Sequence, residues 1–411
     1  MLGAALALSA CYHPPPAPVL APIQIPVGPP PAADATPGPG AVSCDALVSA
    51  FLARDPTLRA ARAGLPVARA AADAAGPFPS PEVRFHDDLR DIGQQPAVDL
   101  RLRLPKPGVA DGKQRAAEAR VVLSEAQVRV LEIEVARKAR RAHADLVLAA
   151  GRARLSQEAA SAAAAEADLV AQRERAGVAT AVSLSRVRLN AETRRLQAEA
   201  DTSELDVLRT ALESQSGVRP DDTQLCQPPA PLKTVDPAEH PAVQAAQARA
   251  RSADAESFAA ERAGWIWPAF FQIGWQRDAE GKTRRDPIIA EFGVVIPLPG
   301  ADASDVARAK ASKTADAVGF EAERVRADVL RTAAAWQAAT AHADALGRTS
   351  PELDAARALL TRGEAVGAAP AELAELRSAL RDRAWALAQA QHAVAWAAAD
   401  YQAAVGVAGV R

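Results

Sequence analysis

Aromatic and sulfur-containing side chains are scarce in this chain of 411 residues. Phe, Trp and Tyr make up 4% of the sequence, and the single Met is the first residue. A globular enzyme of this length needs more large side chains to fill a thick core. Alanine supplies much of the 49% apolar fraction, and such an Ala-rich, charge-rich composition is typical of long helices in close contact.

Further absences exclude classes of function. Lys and Arg number 48 against 50 Asp and Glu, so the chain lacks the basic surface that nucleic-acid binding requires. No apolar run reaches the length of about 18 residues that a transmembrane helix needs. The three Cys form no CxxC pair, and the His show no HExxH spacing. Without a GxSxG motif either, the sequence predicts no catalysis, no cofactor and no metal site.

The N-terminus has the pattern of a secretion signal. Residues 2–10 are apolar or small and lead to Cys11. Leu8-Ser9-Ala10-Cys11 resembles the lipobox of bacterial lipoproteins, so we expect 1–11 to be a lipoprotein signal segment with Cys11 as the lipid-attachment site. No Lys or Arg precedes Cys11, and we therefore expect the start codon to lie upstream. The Pro-rich stretch 12–41 cannot build a core and predicts a tether.

The remainder is predicted to be a duplication of one unit. Four markers recur about 190 residues apart, which gives halves at 42–218 and 236–411 joined by a linker at 219–235. The recurring markers are Asp55-Pro56 and His240-Pro241, Pro105–Gly108 and Pro297–Gly300, Gly177 and Gly367, and Gly217 and Gly406.

Each half contains two segments of strict polar and apolar alternation, which predicts strands at about 81–89, 97–104, 268–276 and 288–296. One face of the first pair carries the charged residues Glu82, Arg84, Asp99, Arg101 and Arg103, and the other face is apolar. Four strands are fewer than the roughly eight that close a barrel, so a spanning barrel would be assembled from several chains. The alternative is an amphipathic sheet packed on helices.

Apolar residues then recur at helical spacing, which predicts a heptad-like seam in long helices. Gly177 interrupts the first long helical segment and predicts a turn between two antiparallel helices. The expected fold is therefore mainly α with a small membrane β part, built from a duplicated unit of helix, β-hairpin and long αα-hairpin.

These features resemble the TolC-like outer membrane efflux family over about 42–411. Pro105–Gly108 and Pro297–Gly300 resemble its strand-to-helix turns, Arg175–Thr180 resembles the tip of its first helical hairpin, and Val366-Gly367 resembles the second tip. Gly76–Glu82 is weakly similar to the stretch entering the first strand in the heavy-metal efflux subfamily, with Ser80 where that subfamily has Asn.

The resemblance implies a homotrimer whose twelve strands form an outer-membrane barrel continued by a periplasmic α-barrel. It implies a passive exit duct for small molecules or ions, served by a periplasmic adaptor and an inner-membrane RND or ABC pump. The implied site residues are the docking tips (Arg175, Gly177, Val178, Thr180, Val366, Gly367), a candidate tip gate (Glu372, Glu375), the five charged strand residues as lumen-facing groups, and a disulfide between Cys44 and Cys226.

A second hypothesis is a periplasmic coiled-coil lipoprotein with a structural or adaptor role and no channel. The structural form of this hypothesis predicts no amphipathic strands. The adaptor form predicts one helical hairpin and a compact β-domain rich in Gly and Val.

Overall fold

The computed structural model describes residues 22–24, 42–75, 81–86, 97–104, 106–228, 234–276, 288–295, 303–348, 350–366 and 370–407. Helices dominate the described residues. Up to residue 235 the structure has β1 (Ile23–Gln24), α1 (Cys44–Arg54), α2 (Pro56–Ala74), β2 (Glu82–His86), β3 (Ala97–Arg103), α3 (Val109–Arg175), α4 (Ala181–Ser216) and β4 (Thr234–Val235). The second half contains α5 (Pro241–Ala263), β5 (Trp267–Gln276), β6 (Ile288–Val295), α6 (Ala303–Gly347), α7 (Ser350–Val366) and α8 (Pro370–Ala404).

The chain divides into two compact units. The described part of the first unit lies within Ala60–Val128 and Ala238–Arg324, and the second comprises Pro22–Arg59, Arg129–Pro237 and Val325–Arg411. The first unit contains the sheet, and the second contains most of the helical residues. The described helices contain no apolar stretch of the length that a membrane-spanning helix requires.

The first unit contains a four-stranded antiparallel sheet in the order β2-β3-β5-β6. The two hairpins meet where β3 pairs with β5, with Leu100 opposite Ile273. Between Pro268 and Phe270 the pairing of β5 with β6 shifts register. Proline has no N–H to donate to a ladder, and such irregularities are a usual place for it in a strand.

Small residues allow α3 and α5 to approach closely within the first unit. A Cβ at Gly112 would lie 2.8 Å from the carbonyl oxygen of Ala255 and 2.8 Å from the Cβ of Ala259. The side chains of Ala116 and Ala259 are also buried. Alanine therefore packs these helices together without large side chains, which agrees with the aromatic-poor composition.

The core of the second unit follows the apolar seam of α3. Val135, Ala139 and Leu146 are buried there, and Val48 of α1 packs into a cluster with Ala136 and Ala139. Tyr401 of α8 is 1% exposed and stacks on Trp336 of α6, with ring centroids 5.1 Å apart. This aromatic pair fills the space where α6 and α8 pack.

Two features differ from the sequence-based expectation. The tether predicted at 12–41 contains a short strand, β1 (Ile23–Gln24), which pairs with β4 (Thr234–Val235). The helix after the second hairpin is also not continuous, because α6 ends at Gly347 and α7 begins at Ser350. Glycine weakens a helix, and Pro351 is favourable only in a first turn, so this sequence ends one helix and starts another.

Candidate functional site

The charged residues of the first hairpin form a connected network on one face of the sheet. Glu82 forms ion pairs with Arg84, at 2.9 Å, and with Arg103. Asp99 lies opposite Arg84 and accepts a hydrogen bond of 2.9 Å from the side chain of Gln272. Opposite charges alternate across the strands, so the network neutralises itself locally.

Phe270 interrupts this polar face. The guanidinium carbon of Arg101 lies 3.6 Å from the centroid of the Phe270 ring, which is a cation–π contact. Phe270 pairs across the ladder with Gly293, and the ring covers the glycine. The sequence alternation shows the charged positions, but it does not show that Arg101 covers an aromatic ring.

The opposite face of the sheet is apolar and exposed. Leu100 is 43% exposed, Ile273 44% and Phe292 62%. Val83, Val98, Leu102, Trp275, Ile288 and Val294 are also exposed. A continuous apolar surface of this kind marks contact with a membrane or another protein.

The turn between α3 and α4 is a compact helix–helix connection. Gly177 has φ 72°, a left-handed conformation that favours glycine. The N–H of Val178 donates to the carbonyl of Arg173, at 2.8 Å, and closes the end of α3. Thr180 caps α4 and accepts from the N–H of Ser183 at 3.2 Å. Arg175 and Val178 are exposed, so the structure brings all four predicted first-tip residues onto one accessible turn.

The second predicted tip is described only in part. Val366 is the last residue of α7, and Gly367 lies outside the described residues. Glu372 belongs to the first turn of α8, but its side chain is outside the described residues, whereas Glu375 is exposed. The tip gate therefore stays a prediction, and so does the lipid attachment, since Cys11 also lies outside the described residues.

A sulfur cluster lies in the second unit. Cys44, in the first turn of α1, is joined by a disulfide to Cys226, with the Cα atoms 5.3 Å apart. The Nδ1 atom of His143 lies 3.5 Å from the Cys226 sulfur, and its Nε2 lies 2.7 Å from the carbonyl oxygen of Asp221. Burial lowers the pKa of His143, and the bond to the Asp221 carbonyl opposes this shift.

Sequence spacing did not identify His143 as a partner of the two cysteines. The three side chains come from distant parts of the chain, and their ligand atoms lie within 4.8 Å of one another. Among the described residues, this is the group of three His, Cys, Asp or Glu side chains whose ligand atoms lie close enough together for one metal ion. Only the packing of α1 and the 217–228 segment against α3 reveals it.

A second polar group missed by sequence reasoning joins α3 to α8. Asp145 accepts hydrogen bonds from Nε2 of His392, at 2.8 Å, and from the indole N–H of Trp396, at 2.9 Å. One turn earlier, Arg141 pairs with Asp400 and lies 4.4 Å from the Trp396 ring. These contacts fix the register of α8 on α3 within the second unit.

Comparison of the whole fold with solved structures shows strong similarity to outer-membrane channels. CusC has a TM-score of 0.72 with 17% sequence identity, covering 97% of this chain and 99% of CusC. VceC from Vibrio cholerae has a TM-score of 0.69 with 16% identity, covering 89% and 96%. MtrE from Neisseria gonorrhoeae, in its open state, has a TM-score of 0.63 with 17% identity, covering 94% and 98%.

No family model matches the sequence, and no curated protein matches it. The structural matches nevertheless extend over nearly the whole chain. They confirm the fold that the resemblance implies. The chain is mainly helical with a small sheet and has the TolC-like fold of these channels.

Proposed function

We propose that this chain is the passive outer-membrane exit duct of a tripartite efflux or secretion system, carrying small molecules or ions. The observation that carries the proposal is the near-complete fold match to outer-membrane channels, including 99% of the CusC chain. The similar structures are channels rather than enzymes, and this supports a duct without catalysis.

The sheet supports assembly into a barrel. β2 and β6 are the outer strands of the four-stranded sheet. One edge of each is not paired with any described strand of this chain. Unpaired edges in a membrane are costly, because no water is present to satisfy their N–H and C=O groups. Three chains would contribute twelve strands and close the barrel, which is the homotrimer that the family resemblance implies.

The two faces of the sheet support its orientation in that barrel. The exposed apolar side chains, such as Leu100 and Phe292, suit contact with outer-membrane lipid. The opposite face would then line an aqueous lumen with Glu82, Arg84, Asp99, Arg101 and Arg103. The ion pairs of Glu82 offset part of the arginine charge and leave these five residues with one net positive charge per chain.

The helical ends are proposed to meet the other components. The exposed turn containing Arg175, Gly177, Val178 and Thr180 would dock a periplasmic adaptor, together with a second tip at Val366 and Gly367. Glu372 and Glu375 would lie at the gate beside that second tip. An inner-membrane RND or ABC pump would deliver cargo through the adaptor.

The N-terminus would anchor the duct to the outer membrane through lipid on Cys11. The similar order of elements after each hairpin supports an origin of the two halves by duplication of one unit.

Conductance of the purified protein in planar bilayers tests this proposal. We expect a trimer by light scattering and discrete channels after insertion. Replacing Asp99 with Asn should change the cation-to-anion permeability ratio, whereas Val98→Leu on the apolar face should leave the ratio unchanged. Monomers that never insert would overturn the duct and support a periplasmic coiled-coil lipoprotein instead.

A further inference from the structure

We propose that Cys44, Cys226 and His143 form a binding site for a thiophilic cation of the Zn²⁺ class when the two cysteines are reduced. The inference rests on local geometry in the second unit and does not depend on transport. The two sulfurs and the His143 Nδ1 atom lie within 4.8 Å of one another. Two thiolates and an imidazole are the ligands that such cations prefer.

The backbone would keep the two cysteines together after reduction. Val42 forms a parallel bridge with Pro220, two residues before Cys44 and six before Cys226. The N–H of Val42 donates to the carbonyl of Arg219 at 3.0 Å, and the N–H of Asp221 donates to the carbonyl of Val42 at 3.2 Å. These hydrogen bonds do not involve the sulfurs, so the thiols would remain neighbours without the covalent bond.

The hydrogen bond made by Nε2 orients the His143 ring so that Nδ1 is available as a metal ligand. A carbonyl oxygen can only accept a hydrogen bond, so the contact of 2.7 Å with the Asp221 carbonyl places the ring proton on Nε2. The lone pair is then on Nδ1, which faces the Cys226 sulfur at 3.5 Å. Metal-bound histidines are commonly held in this way, by a carbonyl on the nitrogen that does not bind the metal.

Asp221 is itself held in place. It is 4% exposed, and its carboxylate accepts bonds of 2.9 and 2.6 Å from the N–H and hydroxyl of Thr223. His143 is 1% exposed, whereas both cysteines are half-buried. The imidazole is therefore fixed in the interior, and the sulfur side of the site is open to an entering ion.

Modest rotation of the cysteine side chains would complete the site. Two Zn–S bonds of about 2.3 Å in a tetrahedral site place the sulfurs roughly 3.8 Å apart. The Cα atoms of the two cysteines are 5.3 Å apart, which suits that separation as well as a disulfide. Three protein ligands leave a fourth position for water.

Metal binding and oxidation would compete for the same atoms. Binding one Zn²⁺ replaces the two thiol protons, and no electrons are transferred. Forming the S–S bond instead removes two protons and two electrons, which pass to a disulfide oxidant that becomes a dithiol. Bound Zn²⁺ would therefore slow oxidation of the two cysteines, and the disulfide would abolish metal binding.

Cobalt(II) is a suitable probe for the site. The full chain carrying Cys11→Ser, so that only two thiols remain, is reduced with a phosphine and titrated with Co²⁺ without oxygen. We expect one Co²⁺ per chain, a thiolate-to-cobalt charge-transfer band, and loss of the band on adding Zn²⁺. The oxidised protein should show no band. Reduced protein without this band would overturn the proposal.

Two histidine variants test whether His143 binds the metal ion together with the two thiols. His143→Gln keeps a donor for the Asp221 carbonyl and should weaken Co²⁺ binding at least about tenfold, since even residues that only hydrogen-bond to a metal ligand contribute about 10- to 100-fold. His342→Gln alters an exposed histidine and should leave the affinity unchanged. Equal affinity in the His143 variant and the parent protein would contradict the assignment.

A measurement on the parent protein does not depend on whether the His143→Gln variant folds. X-ray absorption at the zinc edge of the reduced parent protein, loaded with one equivalent of Zn²⁺, should show two sulfur ligands and an imidazole. A coordination shell of oxygen atoms, or one of sulfur without imidazole, would overturn the site whether or not His143→Gln folds.

Discussion

Gly293 and Phe270 lie opposite each other on β6 and β5, and the phenyl ring occupies the space that a side chain at 293 would need. A Cβ there would lie 2.6 Å from Cζ of the ring. Arg101 stacks on the same ring at 3.6 Å, so any shift of Phe270 would also disturb the charged face.

Gly293→Ala should therefore destabilise the protein by about 1–3 kcal/mol, the usual cost of overpacking. Thermal unfolding of the detergent-solubilised protein measures this. Gly151→Ala is the control, because nothing lies within 4 Å of a Cβ at that position in α3. It should raise stability by roughly 0.5–1 kcal/mol. A Gly293→Ala variant as stable as the parent protein would contradict the close packing.

Two glycines with nearly the same backbone conformation should respond differently to substitution. Gly217 has φ 70° and Gly177 has φ 72°. Alanine in this left-handed conformation costs about 1–2 kcal/mol at either position. A Cβ at Gly217 would also displace the guanidinium of Arg54, which is the far end of a flexible side chain, so this contact adds a small further cost. We expect Gly217→Ala to lower the unfolding temperature more than Gly177→Ala, and Arg54→Ala to remove the difference between them. If Gly217→Ala exceeds Gly177→Ala by the same amount in the Arg54→Ala background as in the parent protein, the contact with Arg54 is contradicted.

The disulfide should stabilise the second unit strongly, because it joins residues 182 positions apart. The chain-entropy treatment gives roughly 5 kcal/mol for a loop of this size. Cys44→Ser with Cys226→Ser should lower the denaturant midpoint relative to Cys11→Ser alone. Thiol alkylation before and after reduction tests the bond directly, and equal masses in the two samples would show that the bond is absent.

Charge at the exposed α3–α4 turn should matter for transport but little for folding. Arg175→Glu is expected to abolish efflux in cells while leaving the amount of folded trimer unchanged, because the side chain is exposed. Arg154→Glu, whose side chain on α3 is 74% exposed, is the matched charge reversal away from the turn. Efflux lost equally in both variants would show that the turn has no special role.

Asp254 on α5 should make stability depend on pH. Burial raises the pKa of its carboxyl above the ordinary 3.8, and among the described residues its buried Oδ2 has no hydrogen-bond partner. The folded state then holds the proton more tightly than the unfolded state, so stability falls as pH rises through 3.8 toward the folded-state pKa.

Asp254→Asn should therefore stabilise the protein at pH 7, and the gain should vanish below the ordinary pKa of the carboxyl. Denaturation at acidic and neutral pH compares the variant with Asp316→Asn, an exposed control expected to stay within about 0.5 kcal/mol of the parent protein. A gain that is the same at both values of pH would contradict the role of ionisation.

Local patterns in the chain were sufficient to predict several parts of the molecule. Alternation at 97–104 predicts a strand, and the structure has β3 at Ala97–Arg103. Glycine at 177 predicts a turn because it adopts a left-handed conformation without steric cost, and the structure has φ 72° there. These features depend on residues close in sequence, and sequence periodicity reports such features directly.

Interruptions of helices and the pairing of very short strands were harder to predict. The expected unit has one long αα-hairpin after the second β-hairpin and predicts no helix end near Gly347, although Gly347 and Pro351 mark one. The pairing of Ile23–Gln24 with Thr234–Val235 was missed because a two-residue strand has no periodicity to detect. In both cases the composition of the surrounding segment was a misleading guide.

The helical character, the amphipathic strands and the charged residues of the sheet can be predicted from local patterns, because each depends on spacing along one element. Three other relationships are visible only in the folded chain: β3 pairs with β5, Arg101 stacks on Phe270, and His143 lies beside Cys226. Those relationships join residues far apart in the chain. Their distances depend on how helices and strands pack, and no local pattern records that packing.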